Sequence, residues 1–187
     1  MKTVFLSGSR NISRLNDAIR QRLDNMASNN LNIIVGDANG ADKAMQGYLS
    51  EIRYRNVTVF YVAEHCRNNV GGWATRSVAA NPSLSGRNFY STKDKEMARL
   101  ADFGFVLWDG KSIGSIGNVF ELLNAGKNVV LYYAPDKEFH SLRTENELMS
   151  LLQKCDPETL ATIDKKLNIS NAVRKIRASK QTTLALF

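Results

Sequence analysis

The sequence is poor in the residues that build disulfide frameworks and metal sites, since it has two cysteines and two histidines. Cys66 and Cys155 lie far apart and no CxxC spacing occurs, so we expect no disulfide framework, no zinc site and no other bound metal. No apolar stretch approaches the roughly 18 residues that cross a bilayer, and the start is too short for a signal peptide. These absences predict a cytoplasmic protein without a membrane partner.

Acidic residues are outnumbered by basic ones, 18 against 25, which gives a formal charge of +7. A positive field of this size favours anionic partners, which include nucleic acid, nucleotides and phosphorylated metabolites. Charge alone does not distinguish among them. The apolar fraction of 43% is ordinary for a globular protein, so the starting assumption is one domain with a sizeable core.

The motifs of several large enzyme classes are also missing. Gly110-Lys-Ser112 is similar to the end of a P-loop, but Phe105 stands where that loop needs its first glycine. GxGxxG is absent after the first apolar run, and neither GxSxG nor HExxH occurs. We therefore expect no nicotinamide or flavin cofactor, and no cofactor of another kind.

Short apolar runs alternate with segments of helical spacing over the first two thirds of the chain. The apolar runs are Val4–Leu6, Asn32–Val35, Val57–Val62, Phe103–Trp108 and Val129–Tyr133, and the helical segments are Ser13–Ala27, Ala41–Ile52, Thr92–Leu100 and Asn118–Ala125. This alternation predicts an α/β, Rossmann-like, doubly wound parallel sheet of about five strands.

The pattern changes after Pro135, where helical segments follow one another without strands. They are Glu145–Leu152, Pro157–Lys166 with Asp156 as N-cap, and Asn171–Ala178. We predict a nucleotide-binding domain over residues 1–142 and a helical appendage with a basic tail over residues 143–187. Since so short an appendage has little core of its own, its apolar residues are expected to pack on the sheet domain or on a second subunit.

Three glycine-containing loops follow predicted strands, and in a parallel sheet such loops meet at one edge. Glycine lets a ligand approach the main chain, and amides at a helix start favour an anion, so this edge is a candidate phosphate-binding site. For any single loop the alternative remains that the glycines only end strands and that Asp42 complements a helix dipole. The candidate ligand-binding residues are Ser7, Gly8, Ser9, Arg10, Gly36, Asp37, Gly40, Asp42, Arg87, Ser115, Gly117 and Asn118.

The connection over residues 63–91 is longer than usual for this type of crossover. Connections of this length tend to be lids or interfaces. Its side chains able to contact an anion or stack on a base are Arg67, Asn68, Asn69, Trp73, Arg76 and Arg87.

The first 133 residues resemble the SLOG group of Rossmann-like nucleotide-binding proteins, which includes Lonely Guy phosphoribohydrolases, lysine-decarboxylase-like proteins and DNA-processing protein A. The residues that carry the resemblance are Ser7–Arg10, Gly36–Asp42, Lys93–Asp102 and Gly117–Glu121. The sequence is most similar to the YspA-like, cpYpsA-related proteins of this group. The resemblance implies a Rossmann-like fold, a nucleotide ligand and, since SLOG relatives commonly form dimers, a homo-oligomer.

The resemblance also implies a pair of catalytic residues, because Lonely Guy enzymes use an arginine and a glutamate that match Lys93 and Glu121. Three functions follow from the sequence. The main interpretation is a sensor or binding protein for a nucleotide or phosphorylated ribose derivative. The second is an N-glycosidic phosphoribohydrolase in which Glu121 is catalytic. The third, ranked below the other two, is single-stranded DNA binding, which the positive charge and the basic tail suggest.

Overall fold

A computed structural model describes residues 1–62, 64–81 and 83–171, and gives only the backbone of Arg87. Its strands are β1 (Thr3–Gly8), β2 (Asn32–Gly36), β3 (Val57–Tyr61), β4 (Ala74–Ser77), β5 (Phe103–Trp108), β6 (Asn128–Tyr133) and β7 (Glu138–Leu142). Its helices are α1 (Asp17–Ser28), α2 (Ala41–Glu51), α3 (Gly86–Leu100), α4 (Ile113–Asn124), α5 (Glu145–Leu152) and α6 (Pro157–Leu167).

The strands form one sheet in the order β4-β3-β2-β1-β5-β6-β7. Strands β1 to β6 pair in parallel, and β7 is antiparallel to β6. This confirms the α/β, Rossmann-like sheet, with two more strands than the five expected. Both additions are edge strands, and all four residues of β4 are exposed, so the apolar run that marks a buried strand is missing from its sequence.

The sheet is covered by helices on both faces, as a parallel sheet requires. Val4 and Leu6 of β1 pack in one apolar cluster with residues of α1 and α2, whereas Phe5 packs in the other with residues of α3 and α4. The alternation follows from the period of two residues along a strand. Two neighbouring loops, after β1 and β5, are therefore held between helices that pack on opposite faces.

Three helices begin at residues that differ from those predicted by the helical spacing of the sequence. Helix α1 begins at Asp17 instead of Ser13, because the side chain of Asn16 accepts a hydrogen bond from the Ile19 amide and caps it. Helix α3 begins at Gly86 and so includes the end of the expected 63–91 connection. Helix α4 begins at Ile113 with Ser112 as N-cap, so Ser115 and Gly117 lie inside the helix and not in a loop before it.

Helices α5 and α6 follow the sheet as predicted, and Asp156 is the N-cap of α6 with Pro157 in its first turn. Their apolar residues Leu148, Leu152 and Ile163 belong to the same apolar cluster as Trp108 of β5. The helix predicted over residues 171–178 and the basic tail lie, beyond Asn171, outside the described residues, and the domain boundary after residue 142 stays a prediction. None of the described helices is long and apolar enough to cross a membrane.

Candidate functional site

A cleft of about 710 Å³ lies beyond the carboxyl ends of β1, β2 and β5. The strand order reverses here, because β1 has β2 on one side and β5 on the other, and ligands of open α/β sheets bind at such points. The structure brings ten of the predicted site residues together along its wall. They are Ser7, Gly8, Ser9, Arg10, Asp42, Lys93, Ser115, Gly117, Asn118 and Glu121.

Three other predicted residues lie behind this wall. A Cβ atom at Gly40, whose φ is +79°, would lie 2.3 Å from the carbonyl oxygen of Arg10, so glycine is needed for α2 to begin against the loop after β1. A Cβ atom at Gly36 would lie 2.5 Å from Asp42 Oδ2 and 2.8 Å from Lys93 Nζ. Asp37 is fully buried. The side chain of Arg87 lies outside the described part of the structure.

Asp109, at the end of β5, connects the loops that form two sides of the cleft. Its carboxylate accepts hydrogen bonds from Ser9 Oγ at 2.7 Å, Asn11 Nδ2 at 2.8 Å and the amides of Lys111 and Ser112 at 3.1 and 2.7 Å. Burial alone raises the pKa of Asp109, but these hydrogen bonds outweigh it and hold the pKa below its ordinary value. The carboxylate therefore stays ionised and fixes both loops.

Several main-chain amides expected to bind a phosphate already donate to protein atoms. The amide of Ser115 donates to Ser112 Oγ, that of Asn11 to Ser9 Oγ, and that of Ala38 to Asp42 Oδ2. The amide of Ala41 donates to the carbonyl of Ser9. These four donors are therefore engaged within the protein. A phosphate-binding site at this edge stays a prediction.

Three charged side chains form a cluster in the cleft, in which Asp42 and Lys93 are buried and Asp94 is half-buried, and we call them the buried charge cluster. Lys93 is 4% exposed and Asp42 5%, and Lys93 Nζ donates to Asp94 Oδ1 at 2.6 Å. Burial raises the pKa of Asp42 to about 7 despite the opposing charge of Lys93. Burial lowers the pKa of Lys93, but the two carboxylates outweigh it, so the pKa is raised and the ammonium stays charged.

The two residues predicted to be catalytic line the same cleft from neighbouring helices, Lys93 from α3 and Glu121 from α4. Glu121 Oε1 lies 3.9 Å from Lys95 Nζ, and its side chain is 40% exposed. Lys93 already binds Asp94, so it does not stand as a free cation beside Glu121. A catalytic role for the pair stays a prediction. Among the described residues there is no group of three or more His, Cys, Asp or Glu side chains that could hold a metal ion.

Four exposed cations surround the opening, and we call Arg10, Lys95, Lys111 and Lys166 the rim cations. They come from the loop after β1, from α3, from the loop after β5 and from α6. Within the described residues, only Lys95 of these four has an ion pair, and its 3.9 Å contact with Glu121 is long. The described lining holds six cationic side chains against the three acidic ones of Asp42, Asp94 and Glu121, so the cleft favours an anion.

Arg67 fixes the connection between β3 and β4 to the end of β2. Its guanidinium donates to both oxygens of Asp37, at 2.8 and 2.6 Å, and its amide donates to the same carboxylate. Burial raises the pKa of Asp37, but Arg67 outweighs it and lowers the pKa overall. The guanidinium also lies over the ring of Tyr90, 4.7 Å from its centroid, and both residues line the cleft. The arginine is therefore held from two sides.

The remaining residues expected to contact a ligand from the 63–91 connection bind protein groups elsewhere. Trp73 Nε1 donates to the carbonyl of Tyr54, and Arg76 pairs with Glu96. The side chains of Asn68 and Asn69 donate to main-chain carbonyls. Of the described side chains in this group, Arg67 alone lines the cleft.

Sequence reasoning missed several cleft residues. Lys111 lies within the glycine-containing stretch after β5 and Asp94 directly follows Lys93, so proximity in sequence to the chosen residues was the available signal. Tyr90 lies in the segment whose sequence predicts a loop, whereas the structure places it in α3. Lys166 comes from α6, and no signal in the sequence places that helix beside the cleft.

The sheet order, the position of the cleft and the C-terminal helices together define a Rossmann-like α/β fold. No family model and no curated protein sequence matches the chain. A solved structure of DNA processing protein A from Helicobacter pylori, described for its single-stranded DNA binding mode, is similar with a TM-score of 0.56 and 16% identity. The similarity covers 89% of this chain and 80% of that one, and at this identity it concerns the fold alone.

Proposed function

We propose that this protein binds single-stranded DNA, and that the strand crosses the cleft with its phosphates on the rim cations. The observation that carries the proposal is the distribution of Arg10, Lys95, Lys111 and Lys166 around one opening, on four different elements. A polymer of phosphates can contact all four at once, whereas a single phosphate contacts one or two. Distributed exposed cations are the usual means by which proteins follow a nucleic-acid backbone.

Two further facts support this choice. The whole chain carries a formal charge of +7, which favours a polyanion. The Helicobacter pylori protein that has a similar fold is described as binding single-stranded DNA. The motifs Ser7–Arg10 and Gly117–Glu121 support a closer assignment to the YspA-like, cpYpsA-related SLOG proteins, which is part of the same proposal.

The second candidate is a free nucleotide or another phosphorylated ribose derivative, held for sensing. It is favoured by the buried charge cluster, since the carboxylates of Asp42 and Asp94 are acceptors that sugar hydroxyls could use. In this case Glu121 could act on an N-glycosidic bond. Release of free base from a nucleoside 5′-monophosphate by wild type, and its loss in Glu121→Gln, would establish that activity.

Fluorescence anisotropy of a labelled oligothymidylate, with thymidine 5′-monophosphate as competitor, tests the two candidates together. We expect the strand to bind, and the mononucleotide to compete poorly at an equal concentration of nucleotide units. Efficient competition would favour the second candidate. Absence of binding by strand and by a panel of nucleoside phosphates would contradict both.

A further inference from the structure

Tyr90 places an aromatic side chain on the wall of the cleft. It lies in α3, is half-buried and lines the cleft together with Arg67. The Arg67 guanidinium lies over the ring at 4.7 Å from its centroid, and the rings of Phe89 and Tyr90 form a T-shaped pair with their centroids 5.3 Å apart. Cation–π and edge-to-face contacts both restrict the orientation of an aromatic ring.

The contact from Arg67 is itself held in place. Its guanidinium forms two hydrogen bonds with Asp37, whose side chain is fully buried. Movement of the arginine away from this position would leave a buried carboxylate without its cation, which is costly in free energy. Planar two-point pairing of this kind fixes the guanidinium plane. The chain Asp37, Arg67, Tyr90 thus extends from the end of β2 to the wall of the cleft, and it presents Tyr90 in a set position.

We propose that Tyr90 is the base-stacking surface of the cleft, and that one nucleobase of the bound strand lies on its ring. The inference rests on the proposed function, since it adds a base subsite to the phosphate contacts. Every nucleobase has a π-face, so stacking on tyrosine binds a strand without selecting a particular base. Lys95 lies on the same helix and lines the same cleft. A single DNA strand in the cleft could therefore contact both the cation and the aromatic ring.

Base stacking and phosphate contact can be measured separately by comparing two ligands, one with bases and one without. An abasic strand, in which tetrahydrofuran units replace the nucleosides, has the same phosphates as an oligothymidylate of equal length and no bases. Wild type should bind the oligothymidylate more tightly than the abasic strand by about 5- to 150-fold, the range that one stacked base contributes. Equal affinity of wild type for both strands would overturn the inference and leave the proposed function intact.

Substitution at Tyr90 then assigns the effect to this ring. Tyr90→Ala should bring the affinity for the oligothymidylate down to that for the abasic strand, while Tyr90→Phe keeps the preference because it keeps the ring. Tyr48→Ala is the matched control, since Tyr48 on α2 also carries an arginine over its ring, Arg20 at 5.2 Å, but does not line the cleft. It should bind both strands as wild type does.

The outcomes are distinguishable. If Tyr90→Ala is folded by circular dichroism and still prefers the base-bearing strand, another residue stacks the base and the inference is wrong. If wild type binds neither strand, the proposed function fails and the base subsite fails with it. The affinities of wild type for the two strands test the inference even if the Tyr90→Ala variant does not fold.

Discussion

The hydroxyl of Ser9 donates to Asp109 Oδ2 at 2.7 Å, across 100 positions of sequence. This bond ties the loop after β1 to the loop after β5, where the sheet order reverses. The same carboxylate holds Asn11 and the amides at the start of α4. Asp109 therefore fixes the two loops that border the cleft. The amides of Lys111 and Ser112 donate to its carboxylate and are not available to a ligand.

Removing this carboxylate should weaken the fold at the cleft. Asp109→Ala leaves several donors without their acceptor, and we expect a loss of about 2–3 kcal/mol in the free energy of unfolding, measured with urea at neutral pH. Because the pKa of Asp109 is lowered in the folded state, its contribution is present above the unfolded value of 3.8 and is lost as the pH falls below it. The difference from wild type should therefore shrink in acid. A difference that persists unchanged at pH 3 would contradict this account.

The pair formed by Arg67 and Asp37 gives a second prediction. Arg67→Met leaves a buried carboxylate without its cation, and we expect a loss of about 2–3 kcal/mol. This is less than for a wholly buried pair, because the Arg67 side chain is 35% exposed. Arg76→Met removes the exposed pair with Glu96 and is the control, expected to cost at most about 1 kcal/mol. Equal losses in the two variants would show that Asp37 does not depend on Arg67.

Stability should also depend on the protonation of Asp42. Its pKa is about 7 in the folded protein, against an ordinary value of 3.8 in the unfolded chain, so the folded state keeps a proton that the unfolded state has released. The stabilising contribution is complete below pH 4 and is lost as the pH rises to 7. Relative to Asp42→Asn, wild type should lose about 2–4 kcal/mol across this window. A constant difference between the two proteins would contradict the raised pKa.

The same protonation changes the charge that a ligand meets. The groups facing Asp42 are Lys93 and Asp94 from α3 and the paired Asp37 and Arg67, so neutralising Asp42 removes one negative charge from the cleft. Phosphodiesters do not titrate between pH 6 and pH 8. We expect the affinity for an oligothymidylate to rise roughly threefold to tenfold from pH 8 to pH 6 in wild type. The rise should be smaller in Asp42→Asn. An equal rise in both proteins would show that the pH dependence of binding does not come from Asp42.

Much of the sheet could be predicted from the sequence because its central strands are buried on both faces and read as apolar runs. The run Phe103–Trp108 matches β5 residue for residue. The two outer strands gave no such signal, since β4 is wholly exposed and β7, at the other edge, has Leu142 as its one buried residue. The start of α4 was missed because glycine and serine have low helix propensity, yet Ser112 caps the helix and tertiary packing completes it.

The candidate site was predictable in position but not in chemistry. Loops after parallel strands meet at one edge by topology, so Ser9 and Gly117 were expected near each other and both line the cleft. Which amides remain free depends on side chains such as Asp109, whose partners are distant in sequence. The rim depends on where α6 packs, because this sets the position of Lys166. Neither property follows from local sequence.

The salt dependence of DNA binding tests the central claim most directly. The variant Arg10→Ala/Lys111→Ala/Lys166→Ala removes three rim cations, and Lys2→Ala/Arg55→Ala/Lys127→Ala removes three cations near the amino ends of the strands, with the same change in net charge. In a plot of log K against log salt concentration, each lost phosphate contact reduces the slope by about 0.7 for a single strand. We predict a slope shallower by roughly 2 for the first variant and a slope close to wild type for the second. Equal slopes for the two variants would contradict binding of the strand at the cleft.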